Sequence, residues 1–227
     1  MELKNVVPWG RSFAEYQQMF CLSETDLDKS ILGCGDGPAS FNAELTARGG
    51  FVVSVDPTYS FSREQLEARI AEVYDEIMPR MEKTKDNYIW ENIGSVQELG
   101  RIRMSAMQQF LADYAKGKED GRYIEAALPV LPFKNEQFDI EVCSHYLFLY
   151  SEQVDLRLHV ASVMELARVA KEVRIYPLIT LNGIASPHLQ PVVAHLSAEG
   201  FKAELVDSQF QFQRGAEKML VVRAGGS

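Results

Sequence analysis

The chain has 227 residues, with 23 Lys and Arg against 32 Asp and Glu, for a net charge of −9. That length suits one domain with a substantial core, and the acidic balance disfavours nucleic-acid partners, whose phosphates need clustered cations. No apolar stretch approaches the roughly 20 residues that span a bilayer, and Met1-Glu2-Leu3-Lys4-Asn5 lacks the core of a signal peptide.

Taken in order, Val6 to Leu27 reads as an N-terminal helical segment (within residues 1–28), with Phe13, Tyr16, Met19 and Phe20 at helical spacing. Ile31-Leu32-Gly33-Cys34-Gly35-Asp36-Gly37-Pro38 then reads as a strand running into a glycine-rich turn and a helix. Glycine lets the chain take positive φ and lets a ligand approach the backbone, and Pro38 suits a first helical turn. Phe41 and Leu45 share one helix face, and Gly49-Gly50 stops the helix. Phe51-Val52-Val53-Ser54-Val55 is a buried strand with Asp56 at its carboxyl end, 19 positions after Gly37. A carboxylate at that spacing is placed to accept the hydroxyl protons of a ribose, although Asp56 beside Pro57 also suits a turn cap.

Residues 58–121 form a mostly helical insertion before a third strand near Tyr123, with helical patterns over Ser62–Met81 and Met104–Tyr114. It holds Tyr88, Trp90, Asn92 and Arg103 and reads either as a cap over the active-site edge or as a dimerisation or packing appendage. Phe138–Val142 is the fourth strand, Leu156–Ala170 a helix and Glu172–Leu178 a strand. Leu189, Val192, Val193 and Leu196 line a further helix closed by Gly200, and Ala203–Val206 and Met219–Val222 finish as strands, an edge hairpin. Cys21, Cys34 and Cys143 are odd in number and widely spaced, which reads as reduced thiols of a cytoplasmic protein with no zinc-type spacing.

The glycines do not fit the dinucleotide fingerprint GxGxxG: counting from Gly33 or Gly35, the third position falls on Pro38 or Ser40. The GxGxG spacing does fit, and it resembles motif I of class I S-adenosylmethionine-dependent methyltransferases. Leu131-Pro132-Phe133 followed by Phe138-Asp139 is similar to that family's approach to its fourth strand. Gly37-Pro38-Ala39-Ser40-Phe41, Cys143 through Ser151 and Val173-Arg174-Ile175-Tyr176-Pro177-Leu178 resemble a little-described bacterial subgroup. The resemblance covers roughly Ile31 to Val222. It implies a Rossmann-like α/β fold: a doubly wound, mostly parallel seven-stranded sheet with an antiparallel last strand and a helical insertion after the second strand.

The resemblance also implies that Gly33, Cys34, Gly35, Asp36, Gly37, Asp56, Pro57, Ala127, Leu128 and Ser144 contact S-adenosylmethionine. Tyr16 or Phe20 would cover it, and Arg11 would either clamp its carboxylate or lie solvated. Two acids usual in the family are missing: the strand-end position falls on Ile31 or Gly33, and the adenine-facing one on Ala127. Each lost polar contact costs about 0.5–1.5 kcal/mol.

Methyl transfer needs in-line placement and an unprotonated nucleophile. His145 is the candidate general base, because its ordinary pKa lies near neutrality, and Tyr146 and Tyr150 are candidates to orient the acceptor. His159 and His188 read as structural. No Asn-Pro-Pro-Tyr motif for exocyclic DNA amines and no nucleophile elbow is present. The expected activity is methylation of a small molecule, with nucleic acid disfavoured as a partner, no membrane, and a homodimer as the open assembly. The competing readings are a catalytically idle binder of S-adenosylmethionine or S-adenosylhomocysteine and a nicotinamide-dependent oxidoreductase.

Overall fold

The computed structural model describes residues 9–225, so the first eight residues of the expected N-terminal segment lie outside it. Seven strands form one sheet: β1 (Ser30–Cys34), β2 (Phe51–Val55), β3 (Tyr123–Ile124), β4 (Phe138–Ser144), β5 (Ala170–Tyr176), β6 (Phe201–Asp207) and β7 (Lys218–Ala224). Their spatial order is β3-β2-β1-β4-β5-β7-β6; the first five are parallel, and β7 runs antiparallel between β5 and β6. The order reverses between β1 and β4, which opens a crevice at the carboxyl ends of those strands.

Alternation along the strands divides the core into two layers. Ile31, Val52, Ile140, Val142 and Val221 face α1 (Phe13–Met19) and, beyond the short α2 (Glu24–Leu27), α3 (Phe41–Ala47). Leu32, Val53, Val173, Ile175 and Leu220 face the opposite side. There, further along the chain, Val163 and Leu166 cover them from the helix Leu156–Val169, and Val192 and Leu196 from the helix Leu189–Ala198. Tyr16 of α1 stacks on Phe41 of α3 with ring centres 4.6 Å apart, which seats the N-terminal segment against the glycine turn. Helices on both faces and a mostly parallel sheet are the doubly wound arrangement expected from the sequence.

Two local expectations are corrected. The N-terminal segment is not one helix: Ser12 and Ser23 each cap a separate short one, and Cys21 takes φ +48° between them. Pro38 is not in a helical turn either. Gly37 to Ala39 are consumed by the bend, and α3 starts at Phe41.

The insertion is built into the core. Its helices α4 (Arg63–Lys83) and α5 (Val96–Glu119) pack on one another, and α5 also reaches α3 and β3. Phe110 and Tyr114 of α5 meet Tyr59 and Tyr123 in a four-ring cluster with centre distances of 5.1 to 6.0 Å. Phe110 is fully buried. Phe110→Ala is therefore expected to cost about 3–5 kcal/mol in chemical denaturation with a single cooperative transition. A cost below about 1 kcal/mol would show that the insertion folds apart from the sheet.

Candidate active site

Past β1 the chain bends back on itself, and the bend is organised by two carboxylates. Asp36 folds over the end of its own strand: its Oδ1 accepts from the Tyr16 hydroxyl at 2.8 Å and its Oδ2 from the Ser54 hydroxyl at 2.6 Å. A Cβ on Gly33 would sit 1.9 Å from that Oδ2, so only glycine fits beneath it. Gly35 (φ +71°) and Gly37 (φ +50°) take the left-handed conformation that side chains disfavour. The Gly37 N–H donates to Asp56 Oδ2 at 2.9 Å, and a Cβ there would meet nothing but that oxygen, at 3.9 Å. Space therefore lies open beside the bend.

The expectation that no carboxylate occupies the family's strand-end acid position is corrected here. No strand residue carries one, but the Asp36 carboxylate lies where a side chain on Gly33 would begin. Burial pushes Asp36 up to about 7, against the pull of the hydrogen bonds from Ser54 and Tyr16, and the nearby Asp56 adds to the rise. Asp56 serves as a turn cap as well as lining the crevice, for its Oδ1 accepts from Thr58 N at 2.8 Å and Thr58 Oγ1 at 2.6 Å. With Gly37, that uses three of its roughly four acceptor directions.

A cavity of about 280 Å³ opens at the carboxyl ends of β1, β2 and β4. Of the residues singled out from sequence, Cys34, Gly35, Asp36, Gly37, Asp56, Pro57, Ala127, Leu128, Ser144, His145 and Tyr146 all line it. Gly33 does not, because Asp36 covers it. Tyr16 is also in the wall, whereas Phe20 is in the core. Tyr146 packs on the glycine bend, its Cβ 3.2 Å from where a Gly35 Cβ would be.

A second, smaller cavity of about 90 Å³ adjoins the first, and Trp9, Arg11 and His145 line both. Its other walls come from three distant places. Ile77, Met81, Tyr88, Leu99 and Arg103 belong to the insertion; Tyr150 and Tyr176 follow β4 and end β5; Phe210 and Phe212 come from the β6–β7 loop. His145 stands at the junction with φ +53°, a strained value for a residue with a side chain. Its N–H extends the β4–β5 ladder to Tyr176 O at 2.8 Å, and its Nδ1 lies 2.9 Å from Ser144 Oγ. Burial, with the charges of Arg11 and Arg103, holds the imidazole well below its ordinary pKa, so it is neutral at pH 7.

Arg11 is a wall residue and not a solvated one. Its Nη1 donates to Trp9 O at 2.5 Å, and its Nε is buried without a partner among the described residues. Trp9, and the pairing of Arg103 with Glu15, were not foreseen from the sequence. Arg103 is 88 positions from Glu15, yet the two form a buried ion pair. An arginine on the apolar face of α5, in line with Leu99, Met107 and Phe110, was the one available signal.

The sheet order, the antiparallel β7 and the glycine bend at the switch point define the class I methyltransferase fold. No protein-family model matches the chain. The uncharacterized protein MJ0045 of the archaeon Methanocaldococcus jannaschii is 30% identical over 224 residues, 98% of each chain, and the protein belongs to the same family as MJ0045. Among solved structures, the mitomycin 7-O-methyltransferase MmcR superposes with a TM-score of 0.50 at 12% identity. The match covers 94% of this chain and 54% of that one, and the likeness is one of fold. The PH0226 protein of Pyrococcus horikoshii OT3 superposes at 0.49 with 14% identity, covering 92% of this chain and 88% of that one. Magnesium protoporphyrin IX methyltransferase of Synechocystis PCC 6803 superposes at 0.47 with 13% identity, covering 93% and 81%.

The buried Asp36 carboxyl makes stability depend on pH with a definite sign. Its folded pKa is raised above its unfolded value near 4, so the folded state holds a proton that the unfolded state has lost. Between pH 4 and 7 the wild type therefore loses stability relative to Asp36→Asn, by a total on the order of 4 kcal/mol, with no further change above about pH 8. Urea denaturation of both proteins across that range reads the difference; a gap independent of pH would mean Asp36 is ionised throughout.

Proposed function

We propose that the protein is an S-adenosylmethionine-dependent methyltransferase that acts on a small molecule. The observation that carries this reading is the pair of joined cavities: one at the switch point of a methyltransferase fold, floored by a bare glycine bend and two buried carboxylates, the other aromatic-walled, with His145 between them. The residues present fit the cofactor. Asp56 retains acceptor capacity for ribose hydroxyls, the open side of Gly37 leaves room for the amino-acid part, and Ala127 and Leu128 supply an apolar wall for adenine. Asp36 provides a carboxyl group that an ammonium group beside it would draw into its ionised form, which compensates for the acid missing from β1.

Bound S-adenosylmethionine supplies an electrophilic methyl group on a sulfonium. The protein's part is placement and protonation state. The second cavity holds the acceptor, and the insertion residues in its wall shield it from water, which is the cap role expected for residues 58–121. With its Nδ1–H donated to Ser144 Oγ, neutral His145 would keep its other ring nitrogen free to take the proton that the acceptor atom gives up as the methyl group passes from the sulfonium and S-adenosylhomocysteine is released. Tyr146 supports the bend beside the cofactor cavity.

Titration calorimetry tests the reading. S-adenosylmethionine and S-adenosylhomocysteine are expected to bind and NAD is not; NAD binding without the sulfur cofactors would overturn it in favour of an oxidoreductase. Asp56→Ala is expected to weaken S-adenosylhomocysteine about tenfold to a hundredfold through lost charge-assisted hydrogen bonds. An unchanged dissociation constant would remove Asp56 from the site.

A further inference from the structure

The second cavity carries a charge that the acidic chain as a whole would not suggest. Arg11 and Arg103 both line it, and the Nε of each is buried with no hydrogen-bond partner among the described residues. The carboxylate of Glu15 pairs with Arg103 and not with Arg11: its Oε2 takes Arg103 and the Ser12 N–H and hydroxyl, and its Oε1 is buried without a partner among the described residues. Burial and the neighbouring Arg103 charge lower Arg11 to about 10, with Glu15 opposing the fall. Among the described residues, two guanidinium groups against one carboxylate leave net positive charge in a desolvated pocket, and a buried charge is costly unless paired. Trp9, Tyr88, Tyr150, Tyr176, Phe210 and Phe212 supply flat walls around it.

We propose that the methyl acceptor is a small aromatic acid: a single ring against the aromatic walls, with its carboxylate received by Arg11 and Arg103. The inference rests on the reading of the second cavity as the acceptor site. Planar guanidinium forks match carboxylate geometry, and the unpartnered Nε atoms are donors without an acceptor. The cavity's volume of about 90 Å³ is below the roughly 150 Å³ that holds benzene in an engineered protein core. A single ring therefore fits only by extending into the shared junction, which brings its substituents to His145.

The same carboxylate chemistry could come from the cofactor's own amino-acid end, because Arg11 also lines the first cavity. Calorimetry with benzoate, benzamide and benzylamine, with and without saturating S-adenosylhomocysteine, separates the sources. Benzoate is expected to bind at least tenfold more tightly than benzamide, with benzylamine weakest, and S-adenosylhomocysteine is expected not to displace it. Arg11→Gln should lower benzoate affinity at least tenfold while leaving benzamide unchanged. The double variant Glu15→Gln, Arg103→Gln removes the ion pair whole and should lower it likewise, so that a folding failure of one variant does not decide the matter. Benzamide equal to benzoate, or one-for-one displacement of benzoate by S-adenosylhomocysteine, overturns the proposal. Benzoate preference in a protein that binds no S-adenosylhomocysteine overturns instead the methyltransferase reading and leaves the anion site standing.

Discussion

The geometry of the site depends on a carboxylate turned backwards. Asp36 leaves the bend, folds over Gly33 and is gripped by Tyr16 from the N-terminal helix and Ser54 from β2. Those two hydrogen bonds join three segments through side chains, beside the main-chain bonds from Gly35 N–H to Val55 O at 2.9 Å and from Ser40 N–H to Arg11 O at 3.0 Å. They offset part of the cost of burying the carboxyl group, and they fix the path of the main chain through Gly35 and Gly37. Asp56 completes the arrangement from β2 by holding the Gly37 N–H. Both acids shape the bend and both also line the cavity beside it.

That division of labour explains how the chain departs from the pattern it resembles without losing the site. A strand-borne acid needs a side chain at the position of Gly33. Here the side chain is absent and the carboxyl group comes from three residues later in the sequence, occupying the same space. Gly33 is thus required by the carboxylate above it and not by a ligand. Tyr16 also gains a role beyond packing on Phe41, and the N-terminal segment becomes part of the site's foundation.

Much of this was legible in the sequence. Apolar runs ending in glycine or aspartate gave β1 and β2, because a buried parallel strand must be apolar on both faces and a ligand-binding bend must shed its side chains. Phe41, Leu45 and the double glycine gave α3. What could not be read were the partnerships across long separations. Nothing in the spacing of Asp36 shows that Tyr16 and Ser54 will meet it. Arg11 looked like a solvated residue because its burial depends on Trp9 and on the insertion, and Arg103 lacked an assigned partner because Glu15 lies on a different helix. Helix starts misled for a related reason: Pro38 satisfies the local rule for a first turn, but the bend around Asp36 consumes it.

The most direct measurement is a crystal structure of the protein grown with S-adenosylhomocysteine. The account predicts the adenosyl group between Asp56 and the Ala127–Leu128 wall, the amino-acid portion beside Gly35 and Gly37, and Asp36 still bonded to Tyr16 and Ser54. Density for the ligand elsewhere, or a crevice filled by the protein's own side chains with Asp36 swung out to solvent, would contradict it.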